Sequence, residues 1–181
     1  SRPPSHGMDA PVFQFMFALA DCDKPVIAAV TGAAIGIGTT MLLHCDFAYV
    51  SDEARLAMPF VGLGLVPEFA SSLLLPQLMG QARAAEKLLL GDPFTGADAV
   101  EIGLANAVLP AGEVVNHARR VAERFNSLPP GVVREAKKLL DGANKAGIVH
   151  AVTFNYRGNP LVQQARHLIV HGDIGRPQFL V

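Results

Sequence analysis

From Met8 to Cys22 the apolar residues Val12, Phe15, Met16 and Leu19 recur at helical spacing, the pattern of an amphipathic helix. Asp21, Asp23 and Pro25 end it, because the residue before a proline is driven out of helical geometry. The pattern then changes. Pro25 to Val30 (PVIAAV) is a continuous apolar run, which predicts a strand buried on both faces. Gly32, Gly36 and Gly38 make a tight turn, Thr39 to His44 a short helix, and Phe47 to Val50 a second buried strand. Leu56 to Pro59 reads as a third, short strand.

Helical patterns dominate the next stretch. Phe69 to Met79 and Gln81 to Leu90 read as two helices broken at Gly80, and Thr95 as the N-cap of another. Asn106 to Leu109 is a short strand. Gly112 to Asn126 and Val132 to Leu140 are amphipathic helices separated by Pro129-Pro130. This order of strands and helices predicts a layered α/β unit. Beyond about Leu140 the character shifts: 148–154 (IVHAVTF) reads as a strand, 160–171 as a helix and 172–175 as a turn into a final strand. Two regions follow, 8–140 and an atypical β–α–β tail over 141–181.

Composition narrows the function classes. The chain has 181 residues, half of them hydrophobic, enough for one domain with a sizeable core. Its net charge of −1 provides no field to attract nucleic acid or an anionic membrane. Apolar runs such as Leu73 to Leu75 are too short to span a bilayer. The opening SRPPSHG reads as the middle of a loop, so an internal fragment is expected. Cys22 and Cys45 fit no metal or redox spacing. Both are expected to be reduced, partly buried packing residues in a cytoplasmic protein.

The chemistry concentrates between Lys24 and Ser72. A strand that ends in GAAIGIGTT and opens a helix leaves N–H groups free at the helix start, where negative charge is favoured. A phosphate or a thioester oxygen that becomes an oxyanion suits that place, or the glycines serve only close strand–helix packing. A dinucleotide fingerprint is incomplete, since Met41 stands at the third glycine, and no Gly-Lys-Ser/Thr is present. Glu68 is the only charged residue from Leu56 to Leu75. It is either an exposed first-turn glutamate or a carboxylate in apolar walls, whose pKa is raised into the range useful for proton transfer.

The segments KPVIAAV, GAAIGIG, CDFAYVSDEARL, LGLVPE and LLLGDPFTGADAVEIGLANAVLP follow in an order and spacing that resembles the enoyl-CoA hydratase/isomerase (crotonase) family over about Ala10 to Leu140. The resemblance implies a crotonase-like layered β/α (spiral) core, incomplete at its N-terminus. It implies an acyl-CoA substrate, no metal or other cofactor, and a homo-oligomer, trimer or hexamer. It places an oxyanion N–H at Ile37, with Gly36 and Gly38 shaping the turn and, with Leu63, binding substrate. The family's hydratases carry two glutamates where this chain has Thr40 and Phe60. Its Δ3,Δ2-enoyl-CoA isomerases instead place a single glutamate after the LG segment, and Glu68 of LGLVPEFASS falls there. The family's second oxyanion donor precedes the helix that starts near Met8, so half an oxyanion hole, and a weak or inactive fragment, are expected.

Rival readings are another crotonase-type reaction, hydratase or thioester hydrolase, a non-catalytic remnant, and an oxidoreductase. The last comes from the tail, where Asn155-Tyr156-Arg157 and Pro160 resemble an N-Y-R-x-x-P motif of the Gfo/Idh/MocA oxidoreductases. That resemblance implies a fusion joined near residue 143 without the glycines or lysine that dehydrogenation needs. His167 and His171 lie four apart without a third ligand. His44 reads as a packing residue, and Arg119-Arg120 and Lys137-Lys138 as helix surface.

Overall fold

A computed structural model of the protein describes residues 10–146. The chain divides into two units, Ser1–Leu140 and Asp141–Val181. Helix α1 (Pro11–Ala20) opens with proline at its first turn and stops at Asp21. Proline suits that position because the N–H it lacks would have had no intrahelical partner. Strands β1 (Ile27–Val30), β3 (Phe47–Ser51) and β6 (Ala107–Leu109) form one parallel sheet in the order β1-β3-β6. Strands β2 (Ala33–Ile35), β4 (Arg55–Ala57) and β5 (Phe94–Thr95) form a second, with β2 parallel and β5 antiparallel to β4.

The core follows the strand period of two. In central β3, Ala48 and Val50 point into the main apolar cluster with Leu56, Met58, Phe60, Leu75 and Phe94. Tyr49 points the other way, onto Val114, Ala118 and Val121 of α6 (Val114–Arg124). Those three residues recur on one helical face, which is why α6 lies on that side of the sheet. Helices α3 (Ser71–Met79) and α4 (Gln81–Ala85, continued as a π-helical turn to Leu90) are separated at Gly80, whose φ is +82°. Thr95 caps α5 (Gly96–Glu101) in a full capping box with Asp98, which satisfies two otherwise orphaned groups. Helix α7, the last among the described residues, spans Pro130–Ala146.

Several sequence expectations need correction. The PVIAAV strand is not buried on both faces. It lies at an edge of its sheet among the described residues, has one neighbour there, and leaves Ala29 exposed. The glycine segment is not a single turn, because Ala33–Ile35 pairs with Arg55–Ala57 as a strand. Strand β5, two residues paired antiparallel with β4, is an element the sequence pattern does not announce. Lys137 is not surface: it is 7% exposed and donates to the Asp46 carboxylate at 2.7 Å and to Lys24 O at 3.0 Å. The tail elements expected at 148–154, 160–171 and 172–175 lie outside the described residues, as do Asn155, Tyr156, Arg157, Pro160, His167 and His171.

Candidate active site

The glycine turn is set by β2 and β4. Gly36 N–H donates to Ala57 O at 2.8 Å, and Gly36 O accepts from Thr39 N–H at 2.9 Å and Thr40 N–H at 3.0 Å. Between these bonds Gly36 has φ +60° and ψ −120°, a combination open to glycine and strained for any residue with a Cβ. Helix α2 (Ile37–Thr40) starts there and runs on as a tighter turn over Met41–His44. Its first donors, Ile37 and Gly38 N–H, stand ahead of any intrahelical acceptor. Fully buried Thr39 ties the parts together: its hydroxyl bonds Ala34 O and accepts Ala57 N–H at 3.2 Å.

Two neighbours of the turn carry no carboxylate. A Cβ on Gly36 would lie 3.8 Å from Cε1 of Phe60, so an apolar ring borders the turn. Thr40 is fully buried, and its Oγ1 has no hydrogen-bond partner among the described residues.

Glu68 lies on the loop into α3. Val61, Leu63, Leu65 and Val66 before it are exposed, Leu63 at 69%. Glu68 is half-buried, and its backbone carbonyl accepts Ser71 N–H at 3.0 Å and the Ser71 hydroxyl at 2.6 Å. Burial raises its carboxyl above the ordinary value of 4.5, the direction expected when the charged form loses water. Phe69 and Ala70, which follow, have φ +52° and +54°. Left-handed geometry in residues other than glycine costs on the order of 1–3 kcal/mol each and persists only where surrounding contacts hold it.

The holding contact is one that sequence reading missed. His44 Nε2 lies 2.8 Å from Phe69 O, and its ring stacks on the Phe69 ring at 3.9 Å and 18°. Phe69 also meets Phe15 of α1 edge-on at 6.5 Å. His44 ends the helical segment that Ile37 begins. One continuous helical segment, Ile37 to His44, therefore connects the orphan donors to the loop that carries the carboxylate. A lone histidine before Cys45-Asp46 gives no local signal of this.

The remaining candidates make no hydrogen bond with Glu68 or the glycine turn among the described residues. Cys22 and Cys45 are free and partly buried, and the Cys45 thiol is pushed up to about 11 by burial and by Asp46, with Lys137 opposing. Arg119 and Arg120 are exposed. A cavity of about 190 Å³ lined by Phe47, Tyr49, Val121, Arg124, Phe125 and Leu128 includes none of the candidate residues. Among the described residues no cluster of histidine, cysteine or carboxylate groups is arranged to hold a metal ion, and no helix is long and apolar enough to cross a membrane.

Residues 4–159 match the model of the enoyl-CoA hydratase/isomerase family, a match that runs past residue 143. Enoyl-CoA delta isomerase 2 of Rattus norvegicus is 37% identical over 77% of this chain and 35% of its own length. The short-chain-enoyl-CoA hydratase of Clostridium acetobutylicum is 33% identical over 73% of this chain and 51% of its own. The solved structure of Pseudomonas aeruginosa OdaA superposes with a TM-score of 0.74 at 45% identity, covering 94% of this chain and 62% of that one. The chain thus spans between about a third and a half of these two sequence relatives.

Proposed function

Because this chain belongs to the enoyl-CoA hydratase/isomerase family and has its crotonase-like α/β fold, we propose that its site shifts the double bond of an enoyl-CoA. The Glu68 carboxylate removes a proton from C2 of a 3-enoyl thioester. The thioester oxygen takes the negative charge of the resulting dienolate and is met by Ile37 N–H. Glu68, now protonated, returns the same proton to C4, leaving the 2-enoyl thioester and regenerating the carboxylate. Gly36 and Gly38 shape the turn that presents the donor, and Leu63 stands on the loop leading to Glu68. Loss of one such donor costs an enzyme about 3–4 kcal/mol of transition-state stabilisation.

The observation that carries this reading is the pairing of one half-buried carboxylate, raised by burial, with an absence of others. Glu68 is the single charged side chain between Leu56 and Leu75. The positions where the family's hydratases place carboxylates hold fully buried Thr40 and the Phe60 ring. A 1,3-proton shift needs one base that gives back what it takes. Hydration needs a water activated and a second proton managed, and Thr40 and Phe60 supply no second carboxylate for that.

The test compares conversion of a 3-enoyl-CoA with hydration of a 2-enoyl-CoA, for the chain alone and with a relative's N-terminal segment appended. Conversion is expected to exceed hydration, and Glu68→Gln to abolish it. Hydration equal to or faster than isomerisation overturns the single-base mechanism.

A further inference from the structure

We propose that His44 is a positioning residue that fixes the Glu68 loop onto the helical segment begun by Ile37. The contact is specific to the backbone: His44 Nε2 meets Phe69 O at 2.8 Å, one residue beyond Glu68. A carbonyl only accepts, so Nε2 carries the proton in either charge state of the ring. The second contact is the stack on the Phe69 ring at 3.9 Å. The left-handed pair Phe69 and Ala70 is thus held between His44 on one side and the bonds of Ser71 to Glu68 O on the other. Releasing the His44 side frees Phe69 to relax toward ordinary geometry. Such a relaxation shifts the backbone next to Glu68 and exposes its half-buried carboxyl to water.

His44 touches neither substrate nor reacting atoms in this scheme. It sets the distance between donor and base, to which a proton transfer is sensitive on the scale of an ångström. This functional meaning rests on Glu68 being the base, whereas the clamp itself does not. α1, α2, α3 and the turns 41–44 and 61–63 contain no charged side chain, and His44 is their single titratable group. A change in Glu68 titration on altering His44 therefore reports the loop, together with any direct charge effect of the ring.

Two variants separate the hydrogen bond from the stack. His44→Phe keeps a ring and loses the donor, while His44→Gln keeps an N–H donor. The Glu68 carboxyl is titrated by carbon-13 NMR, and amide exchange is followed at Ser71 and, as a core control, at Val50. In His44→Phe the Glu68 midpoint is expected to fall toward the ordinary glutamate value and Ser71 exchange to quicken by about tenfold or more, with Val50 unchanged. His44→Gln is expected to restore both. Wild-type behaviour of His44→Phe overturns the proposal, as does an unrestored His44→Gln with Val50 protected. Loss of Val50 protection in His44→Phe also overturns it, because His44 is then a core residue rather than a clamp. These readouts need no turnover. An active Glu68→Gln variant would remove the isomerase reading and leave the clamp standing.

Discussion

Gly36→Ala is expected to cost about 1–3 kcal/mol of stability, and Gly38→Ala, two residues on, to be neutral or stabilising by up to about 1 kcal/mol. The difference comes from the backbone. Gly36 sits at φ +60° and ψ −120°, where a Cβ meets its own chain. The added methyl would lie 3.8 Å from Phe60 Cε1, an ordinary contact, so the cost is conformational rather than a clash. Gly38 lies inside α2, and a Cβ there would rest 3.7 Å from the Ala34 methyl, again ordinary contact. Alanine at that position also narrows the unfolded chain's freedom. Urea unfolding followed by circular dichroism gives both differences from the midpoints, provided the slope m is unchanged. Under the proposed chemistry, Gly36→Ala also swings Ile37 N–H off the thioester oxygen and lowers turnover by about a hundredfold or more. Equal losses in the two variants, or a neutral Gly36→Ala, would refute the reasoning, since the strained turn would then not be what aims Ile37.

Two further outcomes follow from charge and burial. The raised carboxyl of Glu68 means that, as pH climbs past 4.5, the unfolded chain releases its proton first, so stability falls between that value and the higher folded one. Glu68→Gln should therefore raise the melting temperature at about pH 7 and leave it unchanged at about pH 3; an equal shift at both pH values contradicts this. Lys137→Met leaves Asp46, whose side chain is 21% exposed, with Val26 N–H at 2.7 Å and without its ammonium partner. Breaking such a buried pair should cost about 3 kcal/mol in guanidinium unfolding, and a loss below about 1 kcal/mol would mark the pair as energetically a surface one.

Local rules fixed much of this molecule. The period of apolar residues located α1, β3 and α6, Gly80 broke the α3–α4 pattern, and Thr95 announced its cap three residues before Asp98. Glu68 stood out because a lone carboxylate in a long uncharged segment is visible as composition. What escaped depends on partners distant in the chain. Three-residue β2 has no period of its own and becomes a strand through β4. Lys137 is buried by residues as far back as Lys24. The edge position of β1 is a property of strand order, not of PVIAAV. The left-handed pair at Phe69–Ala70 and the His44 contact across 25 residues exist because a loop closes on the end of a distant helical segment. Sequence by itself decided which residue types were present and which of the longer segments were helical or extended. Tertiary structure decided how those groups faced each other, because burial, strain and hydrogen-bond geometry arise where separate segments meet.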